Sequence, residues 1–120
     1  MSDFRLSDYL DHIRQAALDA CSFIEGMDRD DFLTDKRTQN AVVMSLIAIG
    51  ETAARLMDRY PAFVARHAEV PWLRMRDTRN RIAHGYFDIE FDIVWDTART
   101  SLPALLNQLA TIDDIESGGA

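Results

Sequence analysis

The chain has 120 residues, 48% apolar and 28% charged, an ordinary globular composition sized for one domain. One cysteine, Cys21, and three histidines leave no disulfide pair and no Cys-rich zinc set, and a formal charge of −7 excludes a surface that coats nucleic acid indiscriminately. The N-terminus lacks a basic stretch followed by an apolar run, and the longest nearly apolar stretch, Ala41 to Gly50, is far short of the ~20 residues that span a bilayer, so a cytoplasmic chain with no membrane contact is expected.

Helical periodicity runs throughout. Leu6, Leu10, Ile13, Ala17, Cys21 and Ile24 recur at steps of three and four and predict a first long helix. Gly26 and the acidic run Asp28-Arg29-Asp30-Asp31 interrupt it, with Asp30 and Asp31 expected in a solvated turn. A second long helix is predicted from about Asp35 through Val42, Leu46, Ile49, Ala53 and Leu56 to Tyr60, where Pro61 ends it. Apolar nearly all round between Ala41 and Ile49, it should be the central member of a bundle.

A short helical stretch from Pro61 to His67 leads to a third main helix from Pro71 to about His84, with Gly85 expected as a left-handed cap. Asp88 should cap the last helix, through Ile93, Val94, Ala98, Leu102, Leu105, Leu109 and Ile112, and Pro103 should kink it. The reading is an all-α antiparallel bundle of about four main helices over residues 1–112, with 113–120 a disordered tail. Trp72, Trp95 and the apolar excess of the central helix suggest a bundle that dimerises.

The chemistry-bearing residues are few. His12, His67 and His84 lack partners at metal-ligand spacing, and Asp88 to Asp92 fails as a calcium loop because its sixth and twelfth positions are Ile93 and Arg99, so neither metal nor cofactor is expected. No phosphate-binding glycine loop or nucleophile elbow occurs; the glycines at 26, 50 and 85 stand alone. Twelve of the 13 basic residues are arginine, and Arg74, Arg76, Arg79 and Arg81 cluster within eight positions. In Arg79-Asn80-Arg81-Ile82-Ala83-His84-Gly85-Tyr86 a permanent cation, an imidazole and a phenol gather at a helix end. Arginine can neutralise charge developing on phosphoryl oxygens, and histidine can move a proton to or from a ribose oxygen, which together suffice for metal-independent RNA cleavage. Five helical residues turn the side chains by ~140°, so Arg79 and His84 share a site most easily if the helix ends at His84 or two copies meet. Arg5 and His12 form a second such pair, read as a decoy because Arg5 precedes the first helix.

The run Arg79 to Asp88, followed by Ile93-Val94-Trp95 and Leu102-Pro103, resembles the HepT-like toxins of the HEPN superfamily, whose signature of Arg, four residues, His, one residue, Tyr is matched at Arg79, His84 and Tyr86. Ile49-Gly50-Glu51-Thr52-Ala53-Ala54 is similar as well, and the resemblance covers residues 4 to 112. It implies a homodimer whose two Arg–His motifs share a cleft, and endoribonuclease activity on tRNA or mRNA with Arg79 and His84 catalytic. Asn80, Arg81 and Arg76 would support RNA binding. It further implies a type VII toxin–antitoxin system in which an MNT-type nucleotidyltransferase antitoxin transfers AMP to Tyr86. Glu51 could pair with an arginine near the motif. The alternative is a non-catalytic subunit that binds substrate for a nucleotidyltransferase partner.

Overall fold

The computed structural model describes the backbone of residues 5–118 and the side chains up to Ile112, except that of Tyr86. The chain forms α1 (Leu6–Phe23), α2 (Arg29–Leu33), α3 (Lys36–Arg59), α4 (Pro61–Arg66) and α5 (Trp72–His84), then a 3-10 turn (Tyr86–Asp88), α6 (Phe91–Asp96), a π turn (Thr97–Ser101) and α7 (Leu102–Gly118). The four long segments are α1, α3, α5 and the α6–α7 run, giving the all-α bundle that the periodicity predicts.

Local chemistry explains the boundaries. α1 closes before Gly26, which at φ 80° is the one positive-φ residue described, and glycine alone takes that region freely. The acidic run is not a turn, as expected for Asp30 and Asp31, but a helix start. Asp28 Oδ1 accepts from the Asp31 backbone N–H at 2.8 Å, and Asp31 Oδ2 accepts from that of Asp28 at 3.1 Å. This reciprocal box satisfies two otherwise orphaned donors and lets five residues form α2. Asp35 caps α3, its carboxylate accepting from the Thr38 N–H at 3.1 Å and the Thr38 hydroxyl at 2.8 Å. Those two bonds hold the Asp35 carboxyl below its ordinary value. Pro61 ends α3 and begins α4.

α3 is the axis of the molecule. By length and composition it could cross a membrane, counted over more residues than Ala41 to Gly50, but its apolar face is the seam on which α1 and α5 pack. Val42, Leu46, Ile49, Ala53 and Leu56 are buried there, joined by Leu10, Ile13 and Ala17 of α1 and by Trp72 and Ile82 of α5. α7 returns along α1 and buries Leu105, Leu109 and Ile112.

Four details depart from expectation. Gly85 has φ −117°, not a left-handed angle, because the chain passes directly into the 3-10 turn, whose Asp88 N–H donates to the Gly85 carbonyl at 2.8 Å. Asp88 therefore lies in that turn, and α6 starts after Glu90. Near Pro103 the last helix carries an irregularity, a π turn ending at Ser101, two residues before the proline, which removes an N–H from the ladder. α7 also continues beyond Ile112 to Gly118, through most of the stretch read as a tail, since no glycine or proline intervenes before 118. Finally, Trp72 and Trp95 are 3% and 7% exposed within one chain, so they are no argument for a second copy. Phe32 of α2 supplies much of the cover over Trp95, with its ring 5.5 Å from Trp95 and 6.5 Å from Phe91.

Candidate active site

Helix α5 carries the motif, and its faces decide what each residue can reach. Trp72, Met75, Arg79 and Ile82 recur at steps of three and four along the side packed on α3. Three of them are buried apolar residues, and Arg79 occupies the remaining place in the stripe. It fits because α3 presents Gly50 opposite. A Cβ at residue 50 would fall 2.2 Å from Arg79 Cβ and 2.7 Å from the Met75 carbonyl oxygen, so only the bare glycine backbone admits α5 this closely. The arginine stem lies over Gly50, and its Nη1 donates to Oε1 of Glu51, the next residue of α3.

The pair is partly shielded, with side-chain exposures of 23% for Arg79 and 44% for Glu51. Among the described residues the Arg79 Nε–H is buried without a hydrogen-bond partner. A partly exposed ion pair contributes ~0–1 kcal/mol, whereas a buried unsatisfied donor costs ~1–3 kcal/mol. The stem's packing on Gly50 and the contact with Glu51 together hold the guanidinium in one place.

His84 is the last residue of α5 and is exposed. From Arg79 it lies ~7.5 Å along the axis and ~140° around it, so within one chain the two side chains leave the helix on different sides. Asn80 is half-buried. Arg76 is half-buried and reaches the Asp77 carboxylate at 3.1 Å; Arg81 is exposed, 3.7 Å from Glu90. Tyr86 opens the 3-10 turn, and its side chain lies outside the described atoms. The structure thus joins Arg79 to Glu51 and leaves Arg76, Asn80, Arg81 and His84 spread around the helix. The arginine cluster is not the uncompensated cationic patch that its sequence suggests, because Asp77, Glu51 and Glu90 each face one of its members.

Beside this helix runs a groove. A cleft of about 250 Å³ is lined by Thr78 and Arg81 of α5 with Gly85 just beyond it, by Ile93 and Thr97, and by Leu46. Leu46, Thr78, Arg81, Ile93 and Thr97 also line a second hollow of about 220 Å³, together with Arg74 and Leu105. Ile93 in its wall is 44% exposed, and Phe87, two residues beyond Gly85, is 95% exposed. Among the described residues no three His, Cys, Asp or Glu side chains group so as to hold a metal ion.

Two residues near this site were given no role from the sequence. Gly50 carried a signal, since glycine inside a helix costs ~1 kcal/mol against alanine and asks for a packing reason. Phe87 carried none, because adjacency to a motif does not reveal exposure.

The family model described as Ribonuclease HepT-like matches residues 13–112. A protein of Methanocaldococcus jannaschii named "Putative RNase MJ0127" is 34% identical over 110 residues, covering 92% of this chain and 83% of the relative. A protein of Thermococcus cleftensis named "Probable ribonuclease HepT" is 33% identical over 98 residues, 82% of this chain and 86% of its own length. No solved structure matches. The matched span takes in α3 with Gly50 and Glu51 and all of α5 with Arg79 and His84, and on that match the chain belongs to the HepT-like ribonuclease family.

Proposed function

We propose that the chain is a metal-independent endoribonuclease in which Arg79 steadies the phosphate and His84 moves the proton. The observation that carries this reading is the seating of Arg79, a guanidinium held beside Glu51 by a stem packed on Gly50. In the reaction the ribose 2′-oxygen attacks the adjacent phosphorus and the 5′-oxygen leaves, giving a 2′,3′-cyclic phosphate and a free 5′-hydroxyl. Charge rises on the non-bridging oxygens as the fifth bond forms, and a cation fixed in advance needs no reorganisation to meet it. An exposed imidazole can accept the 2′ proton or donate one to the leaving oxygen. Arg76, Asn80 and Arg81, disposed around α5, would bind flanking phosphates.

Because Arg79 and His84 diverge on one helix, the cleft is built from two copies of the chain, each giving an α5. The resemblance further supplies a partner, an MNT-type nucleotidyltransferase antitoxin that transfers AMP from ATP to the Tyr86 hydroxyl with release of pyrophosphate. A phosphodiester two residues from His84 would place negative charge and bulk where RNA phosphate has to enter.

The test is cleavage of total bacterial RNA in excess chelator by protein prepared without its partner and confirmed by mass to be free of AMP. Wild type and Tyr86→Phe should cut, while His84→Ala and Arg79→Ala should not. Absence of cleavage by every version would leave a second reading, a non-catalytic subunit of a nucleotidyltransferase, which the net charge of −7 favours.

A further inference from the structure

The proposed cleavage leaves Glu51 without a task. It is a carboxylate on α3 whose side chain is partly exposed, so its solvation alone does not require a partner. The structure gives it one described polar contact, Oε1 accepting from Nη1 of Arg79. It also follows directly on Gly50, whose missing Cβ leaves the gap that Cβ and Cγ of Arg79 fill. Two consecutive residues of one helix therefore locate the two ends of one arginine on another. Gly50 sets how deep the stem lies and Glu51 sets where the guanidinium points. An arginine free at the surface has several rotatable bonds to freeze before it can meet a phosphate in its planar, forked geometry; here they are frozen beforehand.

We infer that Glu51 is a positioning residue, which acts on the reaction only through Arg79 by presenting the guanidinium donors that it does not itself occupy to the phosphate. This rests on the reading of Arg79 as the phosphate clamp. The inference runs against simple electrostatics. Removing a negative charge beside an RNA site should strengthen binding and help the reaction, whereas loss of a positioning contact should harm it.

Glu51→Gln keeps the size and an acceptor oxygen and removes the charge; Glu51→Asp keeps the charge on a shorter arm. In steady-state cleavage under chelator, Glu51→Gln should lower kcat on the order of 10- to 100-fold, the penalty for misplacing a reacting group by about an ångström, with KM rising only several-fold. Glu51→Asp should recover part of that loss, and thermal unfolding should show both variants folded. Equal or faster cleavage by Glu51→Gln would overturn the proposal. A second arm does not need cleavage. In the His84→Ala background, binding of a labelled single-stranded RNA oligonucleotide is measured with Arg79 present or replaced by alanine, each with Glu51 intact or carrying Glu51→Gln. The Glu51→Gln change should weaken binding several-fold when Arg79 is present and not at all when it is absent. An equal effect in both backgrounds would sink the positioning role, while failure of the wild type to cleave RNA would sink the nuclease reading alone.

Discussion

Replacing Gly50 with alanine puts the seating of Arg79 to a test of sign. Alanine is the better helix former by ~1 kcal/mol, so at an uncrowded position inside α3 the change would stabilise the protein. Position 50 is crowded. The added Cβ would meet Arg79 Cβ at 2.2 Å and the Met75 carbonyl oxygen at 2.7 Å, where ordinary contact begins at 3.4 Å. Neither atom can rotate out of the way, one being backbone and the other fixed to it, so α5 has to retreat from α3 by about an ångström. Overpacking of this kind costs ~1–3 kcal/mol, and immovable neighbours place the cost at the upper end. Set against the propensity gain, the net loss is ~2 kcal/mol. At ~2.1 cal/mol/K of unfolding entropy per residue, a chain of this size loses ~4 °C in Tm per kcal/mol, so Gly50→Ala should melt ~8 °C lower. Differential scanning calorimetry of wild type and variant decides it. A Tm equal to or above that of wild type would refute the close approach of α5, and with it the physical basis for a fixed Arg79.

Phe32 is fully buried under α2 against Phe91 and Trp95, so Phe32→Ala should lose ~3–5 kcal/mol in denaturant unfolding and shift the tryptophan emission to the red; a loss below ~1 kcal/mol would mean that α2 is not docked. The Asp35 carboxyl titrates lower folded than unfolded, so its charge stabilises the fold above the ordinary carboxylate range, and that contribution disappears as pH falls through the lowered value. Since asparagine also caps helices well, Asp35→Asn should melt below wild type at neutral pH, with the gap closing in acid; a gap that stays constant from neutral pH down to about pH 2.5 would contradict the assignment. Phe87 is 95% exposed next to the motif, and stacking of an aromatic ring on a base contributes ~1–3 kcal/mol, so Phe87→Ala should weaken single-stranded RNA binding at least about fivefold and Phe87→Trp should not; equal affinities would leave Phe87 without a part in RNA binding.

The long helices were legible because each carries its own signals. The α1 stripe, the Asp35 cap and Pro61 act on their own neighbours and need no tertiary partner. What escaped depends on contact between distant segments. The acidic run beginning at Asp28 looked like solvent-facing turn, so Phe32 was not counted as core, and the tryptophan that it covers looked like surplus apolar area in search of a second copy. Gly50 appeared as an isolated glycine because the residue that needs its missing side chain, Arg79, lies on another helix far along the chain. Arg79 stood out by resemblance, yet its place in the stripe of Trp72, Met75 and Ile82 already implied burial toward α3. The partner that makes such burial tolerable, Glu51, was open to conjecture and not to derivation, since helical spacing says nothing about which helix lies opposite.

The balance of charge around α5 bears on how this site would select RNA. Four arginines within eight residues would, if all faced solvent unopposed, attract any polyanion at long range. Instead Arg76, Arg79 and Arg81 each lie against a carboxylate, and the chain as a whole carries −7. Little field remains beyond a Debye length of ~8 Å, so affinity has to come from short-range contacts. A paired arginine still holds donors in defined directions, and a phosphate that matches them gains charge-assisted hydrogen bonds unavailable to one placed a few ångströms away. Such an arrangement gives up general attraction and retains geometric discrimination. With Arg79 and the flanking Arg76 and Arg81 each engaging a phosphate, the logarithm of the RNA affinity should fall with the logarithm of salt at a slope of about −2. A slope steeper than about −3 would require a broad basic surface, which the carboxylates facing Arg76, Arg79 and Arg81 do not leave on α5.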